Sequence, residues 1–567
     1  MRNKVFILLN LFLLIFFQGN SQKLLRSEML GRPTDNSITI QTIFADSVEI
    51  RAEYGSQSGV FTNQTPWKIF ANGITSETII SGLMPDTKYY YRLNYRNPSG
   101  GPIVFRPEFS FHTQRAAGSS FTFVVQADPH IDYNSDTALY RVCLKNQLDD
   151  APDFMIDLGD FLMTDKLKNA SKVIPRDTIP FRCNLLRSFY EKTCHSVPLF
   201  IALGNHEGES GWNLNGNENN IAVWNSLERK KYFLNPYPNN FYGGDTTTHK
   251  FIGQRGNYYS WEWGDALFIV LDPYWYTGIK PDSLHGWRWT LGETQYKWLR
   301  STLENSKAGF KYVFAHQLIG GDPDGRGGVE FANLYEWGGD NLDGTPGFAT
   351  NRPGWYKPIK DLLTENRVNI FFHGHDHFFG KQEKECLIYQ ETPQPSLHNF
   401  TTTSAKDYGY LQGQILPNTG HLRVTVSSIG TKVEYVRAFK PADENATRHN
   451  KDVSASYFIG NVNCYDSISA GTPIIWNSSY ADEIVYPNPF MQETRIEFKV
   501  NVAENIWIYI YDEKGSLARK LINGNPISTG KYQVVWDGKN ESGEDLPTGI
   551  YWYHINGKRS GKIMLKR

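Results

Sequence analysis

An α/β domain set between two all-β sandwich domains is the fold the sequence predicts, and three observations lead there. From about residue 119 to 440, apolar β-rich runs alternate with amphipathic helical patterns. That alternation marks a sheet covered on both faces. The flanking segments, 24–115 and 484–567, carry short strand patterns separated by turn signals, as all-β sandwiches do. The composition agrees: of 567 residues, 40% are hydrophobic, enough for several buried cores. With 58 basic and 59 acidic side chains the formal charge is −1, which excludes a strongly basic nucleic-acid binder as the reading of the whole chain.

The chain opens with Arg2 and Lys4, then an apolar run from Val5 to Phe17 broken only by Asn10, then small and polar residues at Gly19–Gln22. This is the pattern of a secretory signal over residues 1–22. The run is shorter than the about 20 residues a membrane span needs. Its removal leaves a net charge of −3 on a mature chain expected to have no transmembrane segment. Cys143, Cys183, Cys194, Cys386 and Cys464 remain, an odd set too sparse for a disulfide scaffold. On one helix, Cys183 and Cys194 would lie about 16 Å apart, beyond the roughly 7 Å reach of a bridge. Their pairing stays open.

Strands are expected at Ser37–Thr42, Ser47–Tyr54, Trp67–Ala71, Glu77–Ser81, Lys88–Asn94 and Glu108–Thr113. At Leu83-Met84-Pro85-Asp86-Thr87-Lys88-Tyr89-Tyr90-Tyr91-Arg92-Leu93 the chain resembles fibronectin type III domains, with their corner tyrosine. The resemblance implies a packing domain without chemistry of its own. In the central unit, strands are expected at Phe121–Ala127, Phe154–Leu158, Leu199–Leu203, Ala266–Leu271, Tyr312–Ala315 and Val368–Phe372. Helices are expected at Thr137–Asp149, Phe181–Thr193, Glu293–Ser306 and Tyr356–Arg367, and closing strands at His421–Val426 and Lys432–Val436. Residues 441–483 read as a linker. The last segment opens with Tyr486-Pro487-Asn488-Pro489-Phe490, passes through DGKNESGEDLPTGIYWY and ends on Lys566 and Arg567. In that order these motifs resemble the C-terminal sorting domain of the type IX secretion system. The resemblance implies that machinery as a partner, and export through the periplasm to the outside or to the bacterial cell surface. An ordinary terminal sandwich is the alternative.

The chemistry stands at the strand ends. Five apolar strands run into Asp128-Pro129-His130, Gly159-Asp160, Gly204-Asn205-His206-Glu207, His316 and His373-Gly374-His375-Asp376-His377. In open α/β sheets, ligands collect beyond the carboxyl ends of the strands, so these residues should meet in one crevice. Carboxylate, amide oxygen and imidazole form a borderline donor set suited to Fe, Mn or Zn. No cysteine lies in these blocks, which argues against a thiolate zinc site.

The five blocks, in this order, resemble the calcineurin-like metallophosphoesterases over about Phe121–Lys381. The resemblance implies a four-layer β-sandwich flanked by helices, and two divalent or trivalent metal ions. It implies that Asp128, His130 and His377 hold one metal, that Asn205, His316 and His375 hold the other, and that Asp160 bridges both. His206, like Asn205, would face the substrate phosphate, His206 as the general acid. Hydroxide activated by the metals would attack phosphorus. Glu207 reads as an orienting residue, His373 and Asp376 as supports behind the ligands. Asp157, inside an apolar strand, needs a partner. The layout also resembles purple acid phosphatases, with a departure: Met163 stands where their tyrosine ligand would be, and His130 is additional.

Substrate signals are thinner. A Gly/Asp-rich insertion, Gln317 to Trp355, follows His316 and reads as a lid or substrate wall. Within it Arg326 offers a guanidinium for phosphate oxygens, with a solvated loop arginine as the alternative. Eight of the 15 Trp fall between Trp261 and Trp355, either stacking on substrate or packing the insertions. The leading expectation is a secreted dinuclear-metal phosphoesterase acting on a phosphoester substrate. A phosphodiesterase or nuclease-type hydrolase, and a surface binding protein with an inactive core, are the alternatives. No specific nucleic-acid partner is indicated.

Overall fold

The computed structural model describes residues 22–322, 325–398, 401–460, 483–500, 504–512, 516–527, 530–555 and 559–567. The expected leader, apart from Gln22, and Cys464 lie outside the described residues. Among the described residues no helix is long and apolar enough to cross a membrane.

The elements of the central unit are numbered from its first apolar strand. One sheet contains β1 (Phe121–Gln126), β2 (Phe154–Asp157) and β3 (Leu199–Ile201), paired in parallel. The second contains β4 (Tyr259–Trp263), β5 (Ala266–Val270), β6 (Phe310–Phe314), β7 (Ile370–His373), β8 (Phe379–Lys384) and β9 (Leu387–Glu391). Here β5, β6, β7 and β9 are parallel neighbours. Strands β10 (Gly420–Ser427), β11 (Gly430–Arg437) and β12 (Val453–Gly460) extend the first sheet beyond β1 in antiparallel pairing. The longer helices are α1 (Thr137–Asp149), α2 (Thr178–Tyr190), α3 (Ile221–Tyr232), α4 (Gly292–Asn305) and α5 (Ile359–Glu365).

The layers follow from side-chain alternation. Side chains along a strand point to opposite faces with a period of two. In β5, Ala266, Phe268 and Val270 join Phe123, Val125 and Phe154 of the other sheet between the layers. Leu267 and Ile269 face outward against Leu299 and Leu303 of α4 and Leu362 of α5. On the far side Val124 and Met155 meet Tyr140 and Leu144 of α1 and Leu186 of α2. Helices, sheet, sheet, helices is thus the order, and continuous apolar strands are required because each strand is covered twice.

Local signals set the helix starts. Asp136 caps α1, accepting from the N–H groups of Ala138 and Leu139 at 3.0 Å each, and Asn220 caps α3 through the Val223 N–H at 3.0 Å.

The N-terminal unit is a two-sheet sandwich. One sheet pairs Leu24–Gly31, Ser37–Phe44 and Thr75–Ser81, and the other is built around Val48–Gly55 and Lys88–Arg96. The Met84 N–H donates to the Tyr89 hydroxyl at 2.9 Å, tying the corner. The strand Leu24–Gly31 was not expected from sequence. Its pattern is irregular because Met29 packs into the α1–α2 core of the central unit while Glu28 is buried beside Arg106. The two units are joined by hydrogen bonds. Leu30 N–H donates to Cys194 O at 2.8 Å, and Arg187 Nη2 to Ser27 O and Gln41 O at 3.0 and 2.9 Å. The C-terminal unit is again two sheets, closing over Ile496, Ile508, Trp536 and Tyr553.

One expectation changes, and two open readings are narrowed. The linker expected over 441–483 does not begin at 441: β12 lies within it and pairs with β11, because Ala455 fills the inter-sheet core. Cys183 and Cys194 do not pair; both are free and buried, as is Cys143, while Cys386 is disulfide-bonded. Of the tryptophans between Trp261 and Trp355, Trp261, Trp263 and Trp337 take the packing reading, being fully buried in the cores.

Glu28 is fully buried, and the Arg106 guanidinium reaches both of its oxygens at 2.9 Å. Arg106→Ala strands that carboxylate, so equilibrium urea unfolding should show a loss of about 3 kcal/mol.

Candidate metal centre

Strand register brings the blocks together. Gln126 pairs with Asp157, and Asp157 with Ile201, so the loops after β1, β2 and β3 leave the sheet side by side. In the facing sheet Val270 pairs with Phe314 and Phe314 with Phe372, which aligns the exits of β6 and β7. All five blocks open onto the same end of the sandwich.

Two clusters result. Asp128, His130 and His377 form one, and Asp160, His316 and His375 the other, each with ligand atoms within 4.8 Å of one another. Asn205 completes the second, its Oδ1 lying 3.0 Å from His316 Nε2. His375 Nδ1 is 3.1 Å from the same nitrogen. In the first cluster, Asp128 Oδ1 lies 3.3 Å from His377 Nε2 and 3.6 Å from His130 Nε2. Asp160 Oδ2 stands between the clusters, 3.3 Å from His316 Nε2 and 3.8 Å from His130 Nε2. The seven side chains singled out from the sequence therefore converge.

The residues fit a pair of cations. Asp128 Oδ1 and His130 Nε2 are buried without a hydrogen-bond partner. Such orphaned atoms are rare unless something else satisfies them. His316 Nδ1 is engaged by Leu158 O at 3.0 Å, which turns Nε2 toward the cluster. Burial alone would raise the Asp128 and Asp160 carboxyls. The imidazoles of His316 and His377 hold Asp128 well below the usual range, and those of His316 and His206 do the same for Asp160. The reciprocal effect overcomes burial at His130, pushed up to about 10, and at His316, pushed up to about 9. The cavity demands positive charge.

The ligand loops are conformationally unusual. Asp128, His130, Asp160, His375 and His377 all have left-handed backbones, with φ between 50° and 78°. Non-glycine residues adopt that region at a cost and persist there when the surroundings hold them. Glycine is needed at Gly374, where a Cβ would come within 2.6 Å of Asp128 Oδ2, and at Gly204, where one would meet Asp160 Oδ1 at 2.3 Å.

Glu207 supplies one of the holds. Its carboxylate accepts the N–H groups of Asp160, Phe161 and Leu162 at 3.0, 2.8 and 3.0 Å, and that of Gly204. Burial, with Asp160 nearby, raises it to about 7. Asp157 braces the layer below: Gln126 Nε2, Tyr190 hydroxyl and Gly159 N–H donate to it at 2.6, 2.8 and 2.9 Å.

His206 sits at the rim, its Nε2 3.9 Å from Asp160 Oδ2. Its Nδ1 is 2.9 Å from Asp165 Oδ1. Sequence reasoning missed Asp165; its position in the loop five residues past Asp160 was the available signal. Burial lowers the His206 pKa, but Asp160 and Asp165 together raise it above its ordinary value.

Arg326 is not a solvated loop residue. Its Nη1 donates to His375 O and to Asp376 Oδ1, both at 2.9 Å, and its guanidinium lies 4.2 Å over the Tyr408 ring. Asp376 also accepts the Gly327 N–H at 2.8 Å and the Tyr410 hydroxyl at 2.9 Å. The insertion is therefore fastened to the last ligand block rather than hinged over it as a lid.

A buried ion network backs the third block. Glu209 pairs with Arg229 at 2.6 Å and with Arg255 at 2.8 Å, and Arg255 with Asp272 at 3.0 Å.

Residues 121–379 match the family model described as Calcineurin-like phosphoesterase. Residues 487–561 match that of the FlgD Ig-like domain, in keeping with the C-terminal sandwich. No curated protein matches the chain. Among solved structures, the chain is similar to PhoD at 16% identity, covering 78% of this chain and 91% of that one, with a TM-score of 0.56. It is similar to purple acid phosphatase PPD1 from yellow lupin (Lupinus luteus) seeds at 16% identity, covering 78% and 75%, with a TM-score of 0.51. At these identities the likeness establishes the fold.

Burial raises the Glu209 carboxyl, but Arg229 and Arg255 overcome it and hold it at about 2, against an ordinary value of 4.5. A depressed carboxyl stabilises the fold fully above the ordinary value, and the contribution is lost as pH falls through the depressed one. Between about pH 4.5 and about pH 2, wild-type stability should fall by about 3 kcal/mol more than that of Glu209→Gln, read by denaturant unfolding across pH.

Proposed function

Starting from a calcineurin-like phosphoesterase domain over residues 121–379, we propose that the chain is a secreted, dinuclear-metal hydrolase of phosphate esters. One observation carries this reading: Asp160 Oδ2 stands within 3.8 Å of an imidazole from each cluster, the place of a shared ligand. Asp128, His130 and His377 would hold one cation, Asn205, His316 and His375 the other, and Asp160 both. The oxygen and nitrogen donors suit Fe, Mn or Zn. When bound, the cations polarise the phosphoryl group and lower the pKa of water at the site.

The remaining chemistry belongs to the protein. Nδ1–H of His206 is held by Asp165, so a proton at Nε2 can pass to the leaving oxygen without the ring turning away. Asn205 Nδ2 lies 3.3 Å from His206 Nε2, beside the place a phosphoryl oxygen would take. Arg326, fastened at the His375 carbonyl, adds a positive charge for a substrate anion.

The outer domains complete the proposal. The sheet order of the N-terminal sandwich and its tied Tyr89 support a fibronectin type III-like packing domain. The leader pattern and the C-terminal motif order support export by the type IX machinery. Truncation before residue 484 should then leave the enzyme inside the cells of a host that has that machinery.

Metal analysis with p-nitrophenyl phosphate and its bis ester tests the catalytic reading. The wild type should carry two metals and turn over at least one ester, and Asp160→Asn should abolish turnover. A folded, metal-loaded wild type inactive on a broad ester panel would overturn it. Arg326→Ala should raise KM about tenfold or more, in line with loss of a charged hydrogen bond. Asp165→Asn should lower kcat more for an alkyl phosphate than for p-nitrophenyl phosphate, because nitrophenolate departs without a proton.

A further inference from the structure

Glu391 closes β9 directly beside the end of β7, in register with His373. It is fully buried, and no sequence motif points to it. Its Oε1 accepts two successive backbone N–H groups, those of Asp376 and His377, at 3.1 Å each. Its Oε2 lies 2.8 Å from His373 Nδ1. The preceding N–H, that of His375, goes to Asp128 Oδ2 at 2.9 Å. Three consecutive amides of the last block thus converge on two carboxylates, and only one of these belongs to a metal cluster.

We infer that Glu391 is a positioning residue that fixes His375 and His377 at once, and so controls the occupancy of both cation positions. His375 and His377 belong to different clusters and both have left-handed backbones, φ 78° and 66°. Without an acceptor at Oε1 two buried amides would be orphaned, and the loop would relax toward ordinary φ, moving both imidazoles. The inference rests on the metal-centre reading above and goes beyond it, because the Glu391 side chain reaches the backbone of the last block and none of the candidate ligand atoms.

Two conservative variants separate position from charge. Glu391→Gln keeps the length and an acceptor oxygen but removes the charge. Glu391→Asp keeps the charge but withdraws the oxygens by one methylene. Co²⁺ titration of the metal-free full chain, followed by absorption spectroscopy, reads affinity and ligand geometry without turnover, and circular dichroism checks the fold. Glu391→Gln should bind two Co²⁺ with the wild-type spectrum. Glu391→Asp should bind about 10–100-fold more weakly with a changed spectrum, the range found for supports behind metal ligands. The reverse order, or two variants indistinguishable from wild type, would overturn the inference alone. A wild type that takes up no Co²⁺ would overturn the metal-centre reading, and this inference with it.

Discussion

Two buried carboxylates, Asp128 and Asp160, set the terms for everything around them. Each lies at the end of an apolar strand with essentially no exposure. A carboxylate taken out of water is strongly unfavourable unless paired. Four imidazoles stand within 4 Å of these two groups through His130, His206, His316 and His377. They respond in the way an excess of negative charge dictates, with His130 and His316 drawn upward. Cations bound at a site built in this way would stabilise it and would couple folding to metal loading.

Geometry carries a second constraint. To aim side chains from five strand ends at one point, the backbone leaves its ordinary range at Asp128, His130, Asp160, His375 and His377. Much of the strain is held by carboxylates outside the clusters, which accept the loop amides, while Asp128 itself accepts that of His375. Glu207 collects the amides of the Asp160 loop, and Glu391 those of the His377 loop. Asp376 then fastens the long insertion and the Tyr410 segment to the same block. The outer parts of the domain are in this sense extensions of the ligand loops.

Much of this was legible beforehand. α1 was expected at its observed limits, and the six main strands of the central unit within a few residues, because a doubly covered strand must be apolar throughout and a half-covered helix cannot be. The clustered residues stood out because polar side chains directly after apolar strands are otherwise hard to explain. The strand Leu24–Gly31 was illegible since its burial depends on a partner domain and a distant arginine. β12 was hidden for a related reason: as an edge strand it is only partly covered, and its polar-looking pattern matches a linker.

The sequence by itself determined the periodicities and the chemistry of the strand ends, since both are local: alternation follows from the β-strand repeat, and donor type follows from residue type. Only the tertiary structure decided which oxygen faces which nitrogen, that Asp165 backs His206 and Glu391 backs His377, and that Arg326 is anchored to Asp376. Those pairings join residues as distant in the chain as Asp128 and His377, and spatial neighbours of that kind are set by sheet register and loop packing, which no short window of residues encodes.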